Sequence, residues 1–332
     1  MNKPIRFFLA GLFLLAACSP SGSRLEADIS AIRVDPVTVH RYDQALFGIH
    51  PDSLPEKLGP LKAEFTFFLG SGPTDTSKIG PLREYLTNYR NLEFYSATER
   101  MYPDLGFLEE ELAGAFRHLL YYFPEAPIPR VYTYISGGDY SRPIALYDSV
   151  LLISIDDYLG ADFKPYIADG LPLYRIRRMD RDHLVCDCLR ALEAVVRVPV
   201  PPGNTLLDHM VEAGKLLCFV DAMIPGYPDR FKIGYSAEQM AWLGKNEPHV
   251  WTAIIENQLL YSTKGSVIRT FMSDGPFTAD FSSVSPPRLG EYIGWRIAKA
   301  WLDRNPEASL KGLLAEQDAQ KILAGSKYKP GK

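Results

Sequence analysis

One sequence pattern for metal-assisted hydrolysis sets two histidines four residues apart, which hold Zn(II) from one helix face, and a glutamate beside the first to activate the bound water. The six histidines of this chain, His40, His50, His118, His183, His209 and His249, never take that spacing. A rearranged site could draw on His209, Glu212, Glu247 and His249, with oxygen and nitrogen ligands converging from two helices. The simpler reading leaves His209 on a helix surface, pairs Glu212 with Lys215 at the surface three residues on, and puts Asn246-Glu247 at the start or end of a helical turn. We take the simpler reading, and with it expect no metal site, no catalytic residue and no cofactor. His183, Cys186 and Cys188 offer one nitrogen and two sulfurs, but thiols two apart on a helix point to different faces, so they suit the core or a disulfide better than zinc. The spacing makes a Cys186–Cys188 bond awkward and leaves open whether either pairs with Cys218 or all stay free. Asp156 and Asp157 follow an apolar strand, where functional carboxylates can sit and where a helix cap explains them equally well. Gly-x-Ser-x-Gly, Gly-x-Gly-x-x-Gly and Gly-x-x-x-x-Gly-Lys are absent, which removes the usual signs of a serine hydrolase, a dinucleotide fold or a phosphate loop.

A different chemistry is written at the start of the chain. Lys3 and Arg6 precede the apolar run Phe7 to Leu15, and Ala16-Ala17-Cys18 closes it. The run is short of the roughly 20 residues that span a bilayer, so it reads as an export signal over residues 1–17 that is cut and lost. Leu15-Ala16-Ala17-Cys18 is similar to a bacterial lipobox, whose thiol receives diacylglycerol before cleavage exposes a new N-terminus for a further acyl chain. Lipidation at Cys18 would anchor the mature chain, since each buried methylene contributes about 0.8 kcal/mol. Ser19 rather than Asp follows the cysteine, which favours the outer membrane, with the body facing the periplasm.

Removal of Lys3 and Arg6 with the signal moves the formal net charge from -4 to -6. That mild acidity argues against a nucleic-acid partner, which needs clustered Lys and Arg. It also supplies no polybasic patch for a membrane surface. An aromatic content of 12% points to a packed globule.

The elements that would hold these residues follow from periodicity. Strands are expected at 32–35 and 37–42, interrupted by Pro36, at 130–135, and once or twice over 144–155, with a turn at Gly137-Gly138-Asp139. Helices are expected at 54–69, 81–88, 104–122, 181–196, 204–223, 236–260 and 288–304, with Asp104 and Asn204 as caps. Gly214, inside the most informative of these helices, costs about 1 kcal/mol against alanine and implies close packing of another backbone. Tyr85, Tyr89, Phe94 and Tyr95 share a polar stretch with Arg83, Arg90 and Asn91, a composition that suits an interface, although most of the tyrosines belong in the core. Pro286-Pro287-Arg288 is either a rigid turn with Arg288 exposed or the start of a helix.

In the order of its blocks the chain resembles the gliding-motility lipoprotein B (GldB-type) family of Bacteroidetes. The blocks are Asn204-Thr205-Leu206-Leu207, Glu212-Ala213-Gly214-Lys215, Asp221-Ala222-Met223-Ile224-Pro225, Lys232-Ile233-Gly234-Tyr235, Glu238-Gln239-Met240-Ala241-Trp242, Asn246-Glu247, Leu259-Leu260-Tyr261-Ser262-Thr263 and Ser285-Pro286-Pro287-Arg288-Leu289-Gly290. The resemblance implies an envelope lipoprotein of the gliding apparatus or linked secretion machinery, working through protein contacts and without known catalysis. That family is in turn distantly similar to zincin-type metallopeptidases. Registered on Glu212, the two histidine positions of that pattern fall on Val211, which has no donor atom, and Lys215, which repels a cation. The expected fold is therefore α+β, mostly helical and zincin-like, with a small mixed sheet near 130–155 packed against a central helix near 204–223. The expected organisation is a signal at 1–17, a lipidated tether at 18–28, one domain over 29–325 and a basic disordered tail at 326–332. The alternatives are a divergent zinc metallopeptidase with non-standard ligands and a periplasmic glycan- or peptidoglycan-binding lipoprotein.

Overall fold

The structure, a computed structural model, describes residues 24–70, 76–197 and 203–331. Cys18 and the expected signal lie outside them. Among the described residues, strands β1 (Val39–Arg41), β2 (Arg130–Tyr134), β3 (Ile144–Tyr147) and β4 (Val150–Ser154) form one mixed sheet in the order β1-β2-β4-β3. β2 runs parallel to both β1 and β4, while β3 returns antiparallel on β4. The hairpin turns at Asp148, in the left-handed region with φ 49°.

Side chains alternate across the sheet, as the two-residue period requires. Val131, Leu151 and Ile153 enter the larger core, and Tyr132 and Leu152 enter a smaller one. Both faces are thus covered, the usual condition for parallel strands. The strand expected at 32–35 does not form. Pro36 has no N–H to give a ladder, and pairing begins only at Val39, whose N–H is taken by Glu109 at 2.9 Å.

Between β1 and β2 lie α1 (Tyr42–Phe47), α2 (Leu54–Glu64), α3 (Thr66–Leu69), α4 (Ile79–Thr87), α5 (Tyr89–Met101) and α6 (Gly106–Tyr122). The expected helix over 54–69 is broken at Phe65, which leaves helical geometry (φ -110°, ψ 45°) to bury its ring in the smaller core. α5 is the polar aromatic stretch. Its Phe94 is fully buried while Tyr89 stays 79% exposed, so the helix has one packed side and one wet one. Leu105 holds the N-cap position of α6, and Asp104, one residue earlier, accepts from the N–H of Gly106 at 3.1 Å.

After the sheet come α7 (Lys164–Ala168), α8 (Leu173–Ile176), α9 (Arg181–Val196), α10 (Leu206–Met223), α11 (Asp229–Ile233) and α12 (Ala237–Glu256). The last are α13 (Gly265–Met272), α14 (Leu289–Arg304), α15 (Leu310–Ala315) and α16 (Ala319–Ser326). Thr205, rather than Asn204, caps α10, in a reciprocal capping box with Asp208.

The central helix does not lie where the sequence puts it. α9 rests against β3, while α10 packs against α6 and α9 on one side and along α14 on the other. Gly214 explains the last contact. A Cβ on Gly214 would stand 2.2 Å from the Gly294 carbonyl oxygen, and one on Gly294 would stand 1.7 Å from that of Met210. Two backbones touch here, as Gly214 implied. A charge cluster joins this pair to α11: Asp221 of α10 accepts from Lys232 of α11 at 2.6 Å and Lys299 of α14 at 2.7 Å.

Both ends of the described chain are packed. Arg24 donates to the carbonyls of Leu302, Asn305, Pro306 and Ala308 at the end of α14, and Leu25 is buried. Arg24 and Leu25, which the sequence assigns to the tether, are thus part of the folded body. Ser326 is fully buried, and Tyr328 donates to Glu247 at 2.7 Å and meets Trp251 edge-on. Ser326 and Tyr328 do not belong to the disordered tail expected from 326: the Ser326 hydroxyl donates to the Leu323 carbonyl, and the Tyr328 side chain finds both its partners on α12.

Candidate functional site

The residues suggested for a rearranged metal site are held apart by other partners. Glu212 accepts from Arg197 at 2.7 Å and Lys215 at 3.0 Å. The Glu212–Lys215 pair exists but is not at the surface. Lys215 is only 4% exposed and also donates to the Glu316 carbonyl. Glu247 instead faces α14, accepting from Tyr292 at 2.9 Å and Arg296 at 3.2 Å. It sits in the middle of α12, not at a helix end. His209 is half-buried on α10 and His249 is exposed. Among the described residues no group of three or more His, Cys, Asp or Glu is placed to hold a metal.

Cys186, Cys188 and Cys218 are free and buried. Burial pushes the Cys186 thiol up to about 12 and the other two well above their ordinary value. All three are thiols at neutral pH, inert as nucleophiles and packed as small apolar groups.

The site the fold does assemble lies at the end of β4. Ser154 leads directly into a 3-10 turn, Ile155–Tyr158, which buries Asp156 and Asp157 side by side. Asp156 is structural. It accepts from the N–H groups of Ser136 (2.8 Å) and Gly137 (2.9 Å) and from the hydroxyls of Ser136 and Ser154. Its donors pin the Gly137-Gly138 turn, where both glycines have positive φ and a Cβ would strike Asn91 and Arg90 of α5. Asp157 has no such support: both carboxylate oxygens are buried without a hydrogen-bond partner. Burial, then the neighbouring Asp156, pushes its pKa up to about 8, so it carries a proton at neutral pH.

Asp157 lines a cavity of about 260 Å³. α9 contributes His183, Asp187 and Arg190, spaced four and three residues apart and so on one face. His183 Nδ1 lies 2.7 Å from Asp180, its ring stands edge-on to Phe231, and its Nε2 is buried without a partner. Arg175, Arg178 and Arg288 complete the charged wall, with Met179, Phe231 and Ile233 supplying apolar surface. Gly234, left-handed at φ 75°, leaves room for two of these arginines, since a Cβ would stand 2.9 Å from Arg178 and 3.3 Å from Arg288. Arg288 is not an exposed turn residue; it stands at the N-cap, where α14 starts. It is 7% exposed, left-handed at φ 52°, and donates to Glu291 at 2.8 Å and the Ile233 carbonyl at 2.7 Å.

Sequence reasoning reached His183, Asp157 and Arg288 one at a time and did not join them. The signal that was present is the His183-x-x-x-Asp187 pair on α9, the helix laid on the sheet. Val211 and Lys215, the positions singled out by the metallopeptidase pattern, lie on α10 and do not line this cavity.

A family model described as "Gliding motility protein GldB" matches residues 22–330. The chain belongs to that family. As a GldB-family member it is an envelope lipoprotein linked to the gliding-motility machinery. Neither the curated proteins nor the solved structures contain a match. No helix among the described residues is long and apolar enough to cross a membrane.

Proposed function

We propose that this GldB-family chain is held by lipid on Cys18 at the periplasmic face of the outer membrane, and that its single folded body serves the gliding machinery and linked secretion apparatus through protein contacts. The observation that carries the reading is the family assignment over 22–330, to which the lipobox at Cys18 adds the means of attachment. The Glu212 carboxylate supports contact rather than turnover. A water-activating base needs a free lone pair facing a metal, and this one is saturated by two cations. We read the small mixed sheet followed by helices as a zincin-like layout kept for architecture.

Palmitate labelling in cells, followed by separation of inner and outer membranes, tests attachment. The parent chain takes label and fractionates with the outer membrane, and Cys18→Ala does neither. Equal labelling of the two overturns lipidation at Cys18, and recovery of the labelled parent in the inner membrane overturns the choice of membrane. Metal analysis of chelator-free protein tests the contact role, which stoichiometric zinc would sink.

A further inference from the structure

We propose that the cavity between Asp157, His183 and the arginines of α8 and α9 binds a carboxylate carried next to an N–H donor, as in a free amino acid or the C-terminal residue of a peptide. The groups left unmatched in the cavity define the ligand by complement. Two cations are unspent. Arg178 is paired with Asp274, and Arg288 with Asp274 and Glu291. Arg175 and Arg190 form no ion pair among the described residues, and each gives a hydrogen bond only to a backbone carbonyl, of Tyr140 and Lys232. An acceptor anion is what such guanidinium groups lack, and a planar carboxylate fits their fork.

Two acceptors are unspent as well. His183 Nδ1 faces the Asp180 carboxylate, and in the neutral ring that donates to it the buried, unpartnered Nε2 is a lone pair. Asp157, neutral with its proton on, has a carbonyl oxygen without a donor, the nearby Ser154 hydroxyl being given to Asp156. Buried acceptors without donors are costly unless a ligand or water supplies them. Asp187 is matched, accepting from Tyr158 at 3.0 Å. A phosphate dianion would satisfy the arginines but would bring no N–H for the unmatched acceptors. A carboxylate flanked by an amide or ammonium nitrogen satisfies both sets. The volume of about 260 Å³ admits one or two amino-acid residues, and the apolar patch of Met179, Phe231 and Ile233 offers room for a small side chain.

The inference goes beyond membrane attachment, since a chain that takes no palmitate can pass the following test and a lipidated one can fail it. Detergent-solubilised full-length protein is titrated calorimetrically with acetyl-trialanine, its C-terminal amide, free alanine and inorganic phosphate. Acetyl-trialanine or free alanine binds, the amide binds at least about tenfold more weakly, and phosphate does not compete. Preference for the acetylated peptide marks a chain end as the source, and preference for alanine marks a free amino acid. Arg175→Met and Arg190→Met each weaken binding by about tenfold or more with unchanged melting, whereas Arg296→Met on α14 leaves it intact. Should one of the two cavity variants fail to fold, the other carries the comparison. Equal binding of acid and amide, tighter binding of phosphate, or no heat from either carboxylate at about 10 mM, where a millimolar site would be largely filled, overturns the proposal.

Discussion

Unfolded, the carboxyl of Asp157 meets water and titrates near 3.8; folded, it keeps its proton to about 8. Between those values the unfolded chain releases a proton that the folded chain retains, so stability falls as pH rises from about 4 to about 8 and is flat outside that window. Asp157→Asn removes the dependence. At pH 8 the variant is more stable than the parent by on the order of 5 kcal/mol, and near pH 3.5 the two converge. Urea unfolding at both pH values measures this, and a parent that gains stability toward pH 8 relative to the variant would show that the carboxyl has a partner. Glu212 predicts the reverse pattern of cost. Glu212→Ala leaves Lys215 and Arg197 short of a counter-charge and lowers stability by about 1 to 3 kcal/mol, read in the same titration, with no change in bound metal. The pairing of Glu212 with Lys215 was legible because three-residue spacing is a local fact of helices. The difference between Asp156 and Asp157 was not, because four donors reach the first from residues 136, 137 and 154 and none reaches the second.

Helices declare themselves when apolar residues recur on one face, and α9 was bounded from sequence to the residue (Arg181–Val196). α5 escaped for the opposite reason: its mean hydropathy is low and its buried Phe94 is flanked by polar residues, so the helix is built by packing more than by pattern. Which helix covers the sheet was also misread, because burial all round α10 says that it is central without saying what surrounds it. The glycines separate the two kinds of information. Gly294→Ala forces α10 and α14 apart and costs about 3 kcal/mol or more, beyond ordinary overpacking because backbone must move. Gly114→Ala in α6, where a Cβ meets nothing within 4 Å, gains about 0.5 to 1 kcal/mol. Thermal or denaturant unfolding of the pair reads the contrast directly. Equal effects from the two substitutions would mean that the α10–α14 crossing is looser than described.

At the scale of the whole molecule, the larger core runs from Leu25 to Ile322, so the two ends of the chain are fastened to the same mass of helices. Nothing local in Ser23-Arg24-Leu25 announces this. Arg24 acts on carbonyls some 280 residues away, and such a contact is invisible to periodicity. Arg24→Ala is expected to leave the melting transition nearly unchanged while speeding chymotrypsin cleavage beside Leu25, and an unaltered cleavage rate would show that the arginine holds nothing in place. The clamp also fixes a length. With lipid on Cys18, six residue steps separate the acyl chains from Arg24, at most about 20 Å of extended chain, which is less than the body's own width of roughly 50 Å. A leash that short keeps the end of α14 turned toward the bilayer and confines every encounter to a thin layer above it. Partners fixed in that membrane are met at a high effective concentration, and anything beyond the far side of the body is out of range.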